Sequence, residues 1–322
     1  MPTTSAPAFG DSGVPAAPPR AAVLFIVFNR PDVTLRVLEA IRAARPPRLY
    51  IAADGPRPGR PAEAAICATL RQQVLAAIDW PCTVEALFRE ENLGCRRAVS
   101  GAISWFFEHE ECGIILEDDC LPHASFFPYC EDALQHYAHD TRVLHISGSN
   151  LLRGWTRDPD YSYFFSQYVG IWGWATWRRA WQLYDVASPQ LPELERKSYF
   201  WRRFFHSLEQ RMALQPLWAT HNGQLDTWDY QWAFTLLSQS GLSVTPGVNL
   251  ISNIGFGGQA THTHNVGHPW ANLATKPMPL PLRHPAFMMR DTLSDYRQWR
   301  STLRDKAVAR VRQLAAVFSV TL

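Results

Sequence analysis

The sequence predicts an α/β protein with a mostly parallel central sheet flanked by helices. Two observations carry this. Four short, continuously apolar runs, at residues 21–28, 49–53, 83–88 and 113–116, have the character of strands buried on both faces. Their starts recur at intervals of about 30 residues, the length of a strand–helix–strand unit. The intervening segments read as helices. Residues 32–44 place Leu35, Leu38 and Ile41 on one side, and 95–109 place Val99, Ala102, Ile103, Phe106 and Phe107 in one stripe. A further helix at about 124–138 carries Phe126, Phe127, Cys130, Leu134 and Tyr137. The second half is rich in Trp and Tyr and is marked by motifs rather than periodicity. Residues 270–287 are Pro-rich and read as an extended strap, followed by a basic amphipathic helix at about 291–317.

Composition narrows the function classes. Hydrophobic residues make up 47 % and charged residues 19 % of 322, an ordinary globular balance that leaves room for a sizeable core. The net charge of +2 gives no field for nucleic acid, which is excluded as a partner. Thirteen Trp either fill a heavy core or build flat surfaces for sugar rings. The longest apolar run, 21–28, is too short to cross a bilayer, and residues 1–20 lack the apolar stretch of a secretory signal; they read as a disordered tail. Six Cys with no CxxC pair read as reduced thiols. The expected location is the cytoplasm, with contact at the inner membrane face left open.

The chemistry sits where the four strands end. Asn29 with Arg30, Asp54 with Gly55, the segment from Arg89 to Asn92, and the run Glu117, Asp118, Asp119 follow the four strands in turn. In an open α/β sheet the ligand crevice lies beyond those ends. Three adjacent acids repel one another unless a cation neutralises them, and hard oxygen donors suit Mg²⁺ or Mn²⁺ with substrate phosphates completing the shell. The competing reading is that these acids cap the next helix, starting near Ser125. No GxGxxG follows the first strand and no GxxxxGK[ST] occurs, so dinucleotide oxidoreductase and P-loop readings lose their support.

The segments AAVLFIVFNRPDVT, AADG, NLGCRRAV and GIILEDDCLPHASFFPYC resemble the GT-A nucleotide-sugar glycosyltransferases. The animal-type pattern they resemble is the N-acetylglucosaminyltransferase that initiates complex N-glycans; bacterial glycosyltransferase-like, hemolysin-named sequences share GWATWRRAW. The resemblance continues through ISGSN, YVGIWGWATW, LDTWDYQW and NLISNIGFGGQATHT, covering about 22–264. It implies a GT-A domain over 21–270, with the strap and helix of 271–322 appended. It also implies a metal-dependent, inverting transfer of a hexosyl or N-acetylhexosaminyl group from a nucleoside diphosphate donor, UDP-sugar favoured. The acceptor is a glycan or lipid-linked hydroxyl, as in polysaccharide biosynthesis.

The resemblance assigns roles by position. Asp119 becomes the Mn²⁺ or Mg²⁺ ligand, with His262 as a second. Glu117, Asp118, Arg30, Asp54 and Asn92 become nucleotide-sugar contacts, Asp54 accepting a base N–H. The family's base-contacting His has no counterpart; Ser100 or Ala102 stands in that region. Asp229 becomes the catalytic base, preferred over Asp226, which is the alternative base, a sugar contact or a helix cap. Trp172, Trp174 and Trp177 wall the acceptor or donor-sugar pocket, with core packing as the competing reading, and Gly170 and Gly173 admit close backbone approach. His262, His264 and His268 form an alternative metal cluster or lie solvated. Arg178 with Arg179, and Arg202 with Arg203, read as solvated helix faces, with an anionic lipid surface as the alternative. Two rival functions remain: a sugar nucleotidyltransferase, which calls for a Gly-rich loop after the first strand, and a catalytically inactive glycan-binding relative.

Overall fold

A computed structural model of the chain describes residues 21–257 and 268–319. The four apolar runs form β1 (Ala22–Val27), β2 (Arg48–Ala53), β3 (Thr83–Phe88) and β4 (Cys112–Glu117), joined by α1 (Pro31–Ala44), α2 (Pro61–Ala76) and α3 (Gly94–His109). β1 pairs in parallel with β2 and β4, and β2 in parallel with β3. Pro31 opens α1, where its fixed φ and missing N–H suit a first helical turn, and Val37, Leu38 and Ile41 bury its inner face. Periodicity did not single out α2. Its buried stripe is only Glu63, Cys67, Leu70 and Val74. The reading of 83–88 as buried on both faces is corrected: β3 is the outer strand, with Thr83, Glu85 and Ala86 exposed.

The second half contributes β5 (Cys120–Pro122), α4 (Phe126–His136), β6 (Val143–Ser147), β7 (Tyr163–Ser166), β8 (Trp174–Trp177) and α5 (Arg178–Trp181). It continues with α6 (Leu191–Arg196), α7 (Ser207–His221), α8 (Asp229–Ser238), β9 (Leu242–Pro246), β10 (Ile251–Asn253) and α9 (Thr292–Ser319). The main sheet runs β3-β2-β1-β4-β8-β6-β9-β7. It is mixed: six strands run one way, while β8 and β7 run against their neighbours. β5 and β10 form a separate antiparallel ribbon.

Apolar side chains pack both faces of the sheet. One layer joins Val23, Phe25 and Leu116 to Leu38, Ile41, Phe126 and Phe127 of α1 and α4. The other joins Leu24 and Ile115 to Ile103 and Phe106 of α3, and to Trp174, Trp181, Trp228 and Trp232. The strap after residue 268 is stitched to this body: the Lys276 N–H donates to the Asn249 carbonyl at 2.9 Å and the Met278 N–H to Ser125 Oγ at 2.9 Å. Further on, the Asp291 N–H donates to the Phe165 carbonyl at 2.7 Å. No helix of the described residues is long and apolar enough to cross a membrane.

Candidate active site

The parallel register of β1, β2 and β4 delivers Arg30, Asp54 and the three acids to one edge of the sheet. There Arg30, Asp54, Glu117 and Asp118 line a cleft of about 110 Å³ together with Phe28, Arg89, Cys95, Ala98 and Val99, and Asp119 lies beside it, held by Arg30.

Arg30 organises the acids. Its Nη2 pairs with Asp118 and, at 2.9 Å, with Asp119 Oδ2, while Nη1 donates to the Gly255 carbonyl at 3.4 Å. A guanidinium thus serves as the internal counter-cation. Burial opposes its charge, but Asp118 and Asp119 outweigh burial and hold its pKa above the ordinary value. Burial raises the Glu117 carboxyl to about 8, and the charges of Asp119, Asp118 and Asp229 add to the rise. Burial likewise raises Asp118, with Arg30 opposing. The acids cap no helix: α4 begins after Ser125, beyond β5, and Ser125 offers no side-chain cap bond either.

β10 closes over this corner. Asn253 pairs with Cys120 across the ribbon, and the Ile254 N–H donates to the Asp119 carbonyl at 2.9 Å. Gly255 follows, and a Cβ there would sit 2.1 Å from Asp119 Oδ2. Only glycine lets the backbone approach the carboxylate so closely.

The N-terminus of α3 faces the same cleft and takes two carboxylates. Both Asp54 oxygens lie 3.0 Å from the Leu93 N–H. Asp226 accepts from the Cys95 N–H at 2.9 Å and the Arg96 N–H at 3.2 Å. Asp226 therefore caps α3, reaching back 131 residues in sequence to Cys95, rather than the helix that follows it. The Asn92 amide is spent on the Gly55 carbonyl at 2.7 Å, fixing the loop after β2. Asp54 and Asn92, read from the sequence as nucleotide contacts, thus have structural partners, and burial raises the Asp54 carboxyl against the pull of its backbone donors.

Asp229 opens α8, and Thr227 Oγ1 donates to one of its oxygens. Trp228 and Trp232, four residues apart, are both buried and anchor the start of the helix. Asp229 is half-buried, and its charge reaches both Glu117 and Cys95. The Asp226–Cys95 bond holds the segment before α8 beside the cleft that Glu117 lines, so distant parts of the sequence come to one corner.

The three Trp of GIWGWATW separate. Trp174 is 0 % and Trp177 4 % exposed, so they are core residues and the pocket-wall reading of both is corrected. The reason is β8: a strand between β4 and β6 is covered on both faces, and alternation sends Trp174 to one apolar layer and Trp177 to the other. Trp174 stacks on Trp228, and the Trp177 indole donates to the Leu134 carbonyl. Trp172 lies in the preceding loop, half-buried, edge-on to Phe256 and Trp270. Gly173 turns the chain between them with φ +59°. Arg179 is not a solvated face; its guanidinium binds the carbonyls of Tyr137, Ala138, Asp140 and Val143. His262 and His264 lie outside the described residues, and His268 stacks on Phe256.

Arg89, in the polar segment after β3, and Cys95, in NLGCRRAV, carry no assigned role in the sequence reading, and both line the cleft. His145 escapes the sequence reading. His145 is fully buried: the Trp232 indole donates to its Nδ1 at 3.1 Å and its Nε2–H donates to the Gly170 carbonyl at 3.1 Å. It ties α8, which carries Asp229, to the loop carrying Trp172. Only its place inside an apolar strand could have signalled it.

Among the described residues no three His, Cys, Asp or Glu side chains converge to hold a metal ion. Asp119 Oδ1 is contacted by Asn253 at 3.4 Å and Cys120 at 3.5 Å, both weak. One such carboxylate oxygen, completed by substrate phosphates and water, is a shell that Mg²⁺ accepts. The residues fit an ion that arrives with a phosphorylated ligand better than a resident, fully caged one.

No family model and no curated protein matches the chain. Among solved structures it is similar to the mannosyltransferase PcManGT of Pyrobaculum calidifontis, solved with GDP-Man and Mn²⁺, at 15 % identity and TM-score 0.32, over 51 % of this chain and 46 % of that one. The chain thus spans less than half of that protein. It is also similar to HddC of Yersinia pseudotuberculosis (9 % identity, TM-score 0.32, 49 % and 77 % covered). A third similar structure is a CMP:2-keto-3-deoxy-manno-octonic acid synthetase complexed with CTP (13 % identity, TM-score 0.35, 71 % and 93 % covered). These likenesses are remote and partial.

Proposed function

We propose that the protein is a glycosyltransferase that moves a sugar from a nucleoside diphosphate donor to a hydroxyl acceptor, with inversion. The observation that carries the reading is Arg30 holding Asp118 and Asp119 at the carboxyl edge of β1 and β4, beside an open cleft, with the segment that leads into Asp229 bound through Asp226 to Cys95 of that cleft. The motif resemblance to the GT-A enzymes, including the N-acetylglucosaminyltransferase pattern, supports the same assignment. The cleft takes the nucleoside, between Phe28, Ala52 and the start of α3. Asp119 would hold Mg²⁺ or Mn²⁺ together with the donor phosphates; bound there, the ion would neutralise charge on the leaving diphosphate.

Asp229 is the base. Inversion requires a carboxylate that takes the acceptor hydroxyl's proton as that oxygen attacks from the face opposite the diphosphate. Buried Trp228 and Trp232 hold the helix start, and Thr227 orients the carboxylate. Asp226, committed to two backbone N–H groups, is the poorer candidate. A nucleotidyltransferase reading is disfavoured by the connection from β1 to α1. It is only Phe28, Asn29 and Arg30, with no glycine to cradle an attacking triphosphate.

The test is turnover of a panel of nucleoside diphosphate sugars with Mn²⁺, in wild type and Asp229→Asn. The proposal expects release of the nucleoside diphosphate, slowed on the order of 10²-fold or more by the substitution with donor affinity kept. Formation of a nucleotide sugar from a triphosphate and a sugar phosphate would replace this reading with the nucleotidyltransferase.

A further inference from the structure

The surface formed by the loop after α6 and the first turns of α9 is built unlike the rest of the molecule. Trp201 is 70 % exposed, Tyr199 66 % and Leu208 47 %, so three large apolar side chains stand in water within ten residues. Ring contacts join the loop to α9: Phe205 meets Tyr296 at 5.4 Å and His206 meets Trp299 at 5.0 Å. Exposed Arg196 and Arg202 flank the aromatics, and exposed Arg300 and Arg304 lie one turn apart on α9. None of these four makes an ion pair among the described residues; Arg202 stacks on Trp201 at 4.5 Å.

Most acids of the same segments are buried, and each accepts a hydrogen bond or joins an ion pair. Glu209 is buried and accepts from Tyr168 and the Phe205 N–H. Asp295 is buried against Ser166 and Arg290, and Asp305 is buried and paired with Arg153. Glu193 and Glu195 bind Lys197 and Trp218. Cations and aromatic rings thus face solvent here while Glu209, Asp295 and Asp305 are buried, and the exposed carboxylates nearby are Glu193, paired with Lys197, and Glu195.

We infer that this surface docks the protein on an anionic lipid bilayer, with Trp201 and Tyr199 entering the headgroup region and the arginines facing lipid phosphates. Aromatic rings with one apolar and one polar end favour that interface, and basic side chains add electrostatic attraction to anionic lipid. A second copy of the chain is the poorer occupant, because a self-pairing patch would oppose arginine to arginine. The inference is independent of the proposed reaction, and its test reads no catalysis.

The experiment is co-sedimentation of the full chain with vesicles of mixed phosphatidylcholine and phosphatidylglycerol, and with phosphatidylcholine alone. Wild type should partition onto the anionic vesicles only and be released by salt. Each of Arg202→Ala and Arg300→Ala should weaken partitioning about fivefold, and Tyr199→Ala with Trp201→Ala should abolish it. All four side chains are exposed, so far-ultraviolet circular dichroism and the melting curve should stay those of wild type. Absence of binding to anionic vesicles at low salt would overturn the inference. So would binding unaffected by the variants, or a salt-sensitive dimer or a single-stranded RNA complex that these substitutions abolish in place of vesicle binding.

Discussion

Replacing Asp226 separates a cap from a catalyst. Its carboxylate accepts the N–H groups of Cys95 and Arg96 at 2.9 and 3.2 Å, at the positive end of a 16-residue helix. Losing a capping side chain costs about 0.5–2 kcal/mol, and losing the negative charge at a helix N-terminus a further 0.3–1 kcal/mol or so. Asp226→Ala should therefore destabilise the fold by about 1–3 kcal/mol. Asp226→Asn keeps one acceptor oxygen and so one of the two bonds, and should lose less than Asp226→Ala, about 0.5–2 kcal/mol. Urea unfolding, with the slope checked for constancy, measures both. Turnover of Asp226→Asn should stay within a few-fold of wild type. A stable Asp226→Asn protein without turnover would refute the reasoning and make Asp226 the base.

Other expectations follow from the same contacts. Burial lowers the His145 pKa from 6.5 to about 3, so the folded state resists the proton that the unfolded chain accepts. Stability is therefore complete above pH 6.5 and falls as pH drops toward 3, by about 1.4 kcal/mol per unit at most; acid unfolding followed by fluorescence should show a shallower limb in His145→Gln. Gly255→Ala places a methyl group against Asp119 and should weaken donor binding at least tenfold by calorimetry while costing about 1–3 kcal/mol of stability; unchanged affinity would remove Gly255 from the site. Trp174→Ala should cost about 3–5 kcal/mol, Trp172→Ala far less, as denaturant titration would show. Asp54→Ala should weaken pyrimidine and purine nucleotides equally, because its oxygens serve the Leu93 N–H; a selective loss of uridine nucleotides would restore the base-contact role.

The first half was legible because most of its strands are buried and its acids follow directly from one of them. Ala22–Val27 and Cys112–Glu117 carry an apolar signal that tertiary context reinforces, and the crevice rule then locates Arg30 and Asp119. The second half was less legible. Its strands are three to five residues long, too short for alternation to declare itself, so WATW read as a pocket motif and proved a central strand. Asp226 was recognisable as a cap, but not as the cap of α3, because capping across 130 residues leaves no local trace. The same crevice rule reaches Arg89, which follows β3, whereas Cys95 owes its place in the cleft to where α3 lies, and no spacing announces that.

Titrating UDP and GDP into the protein with and without Mn²⁺, by calorimetry, on wild type and Asp119→Ala, tests the central claim most directly. The account predicts that wild type binds at least one of the two nucleotides, that Mn²⁺ strengthens this binding, and that Asp119→Ala loses the Mn²⁺-dependent part while melting as wild type does. Nucleotide binding that is indifferent to both Mn²⁺ and Asp119, or no nucleotide binding by the wild-type protein, would contradict it.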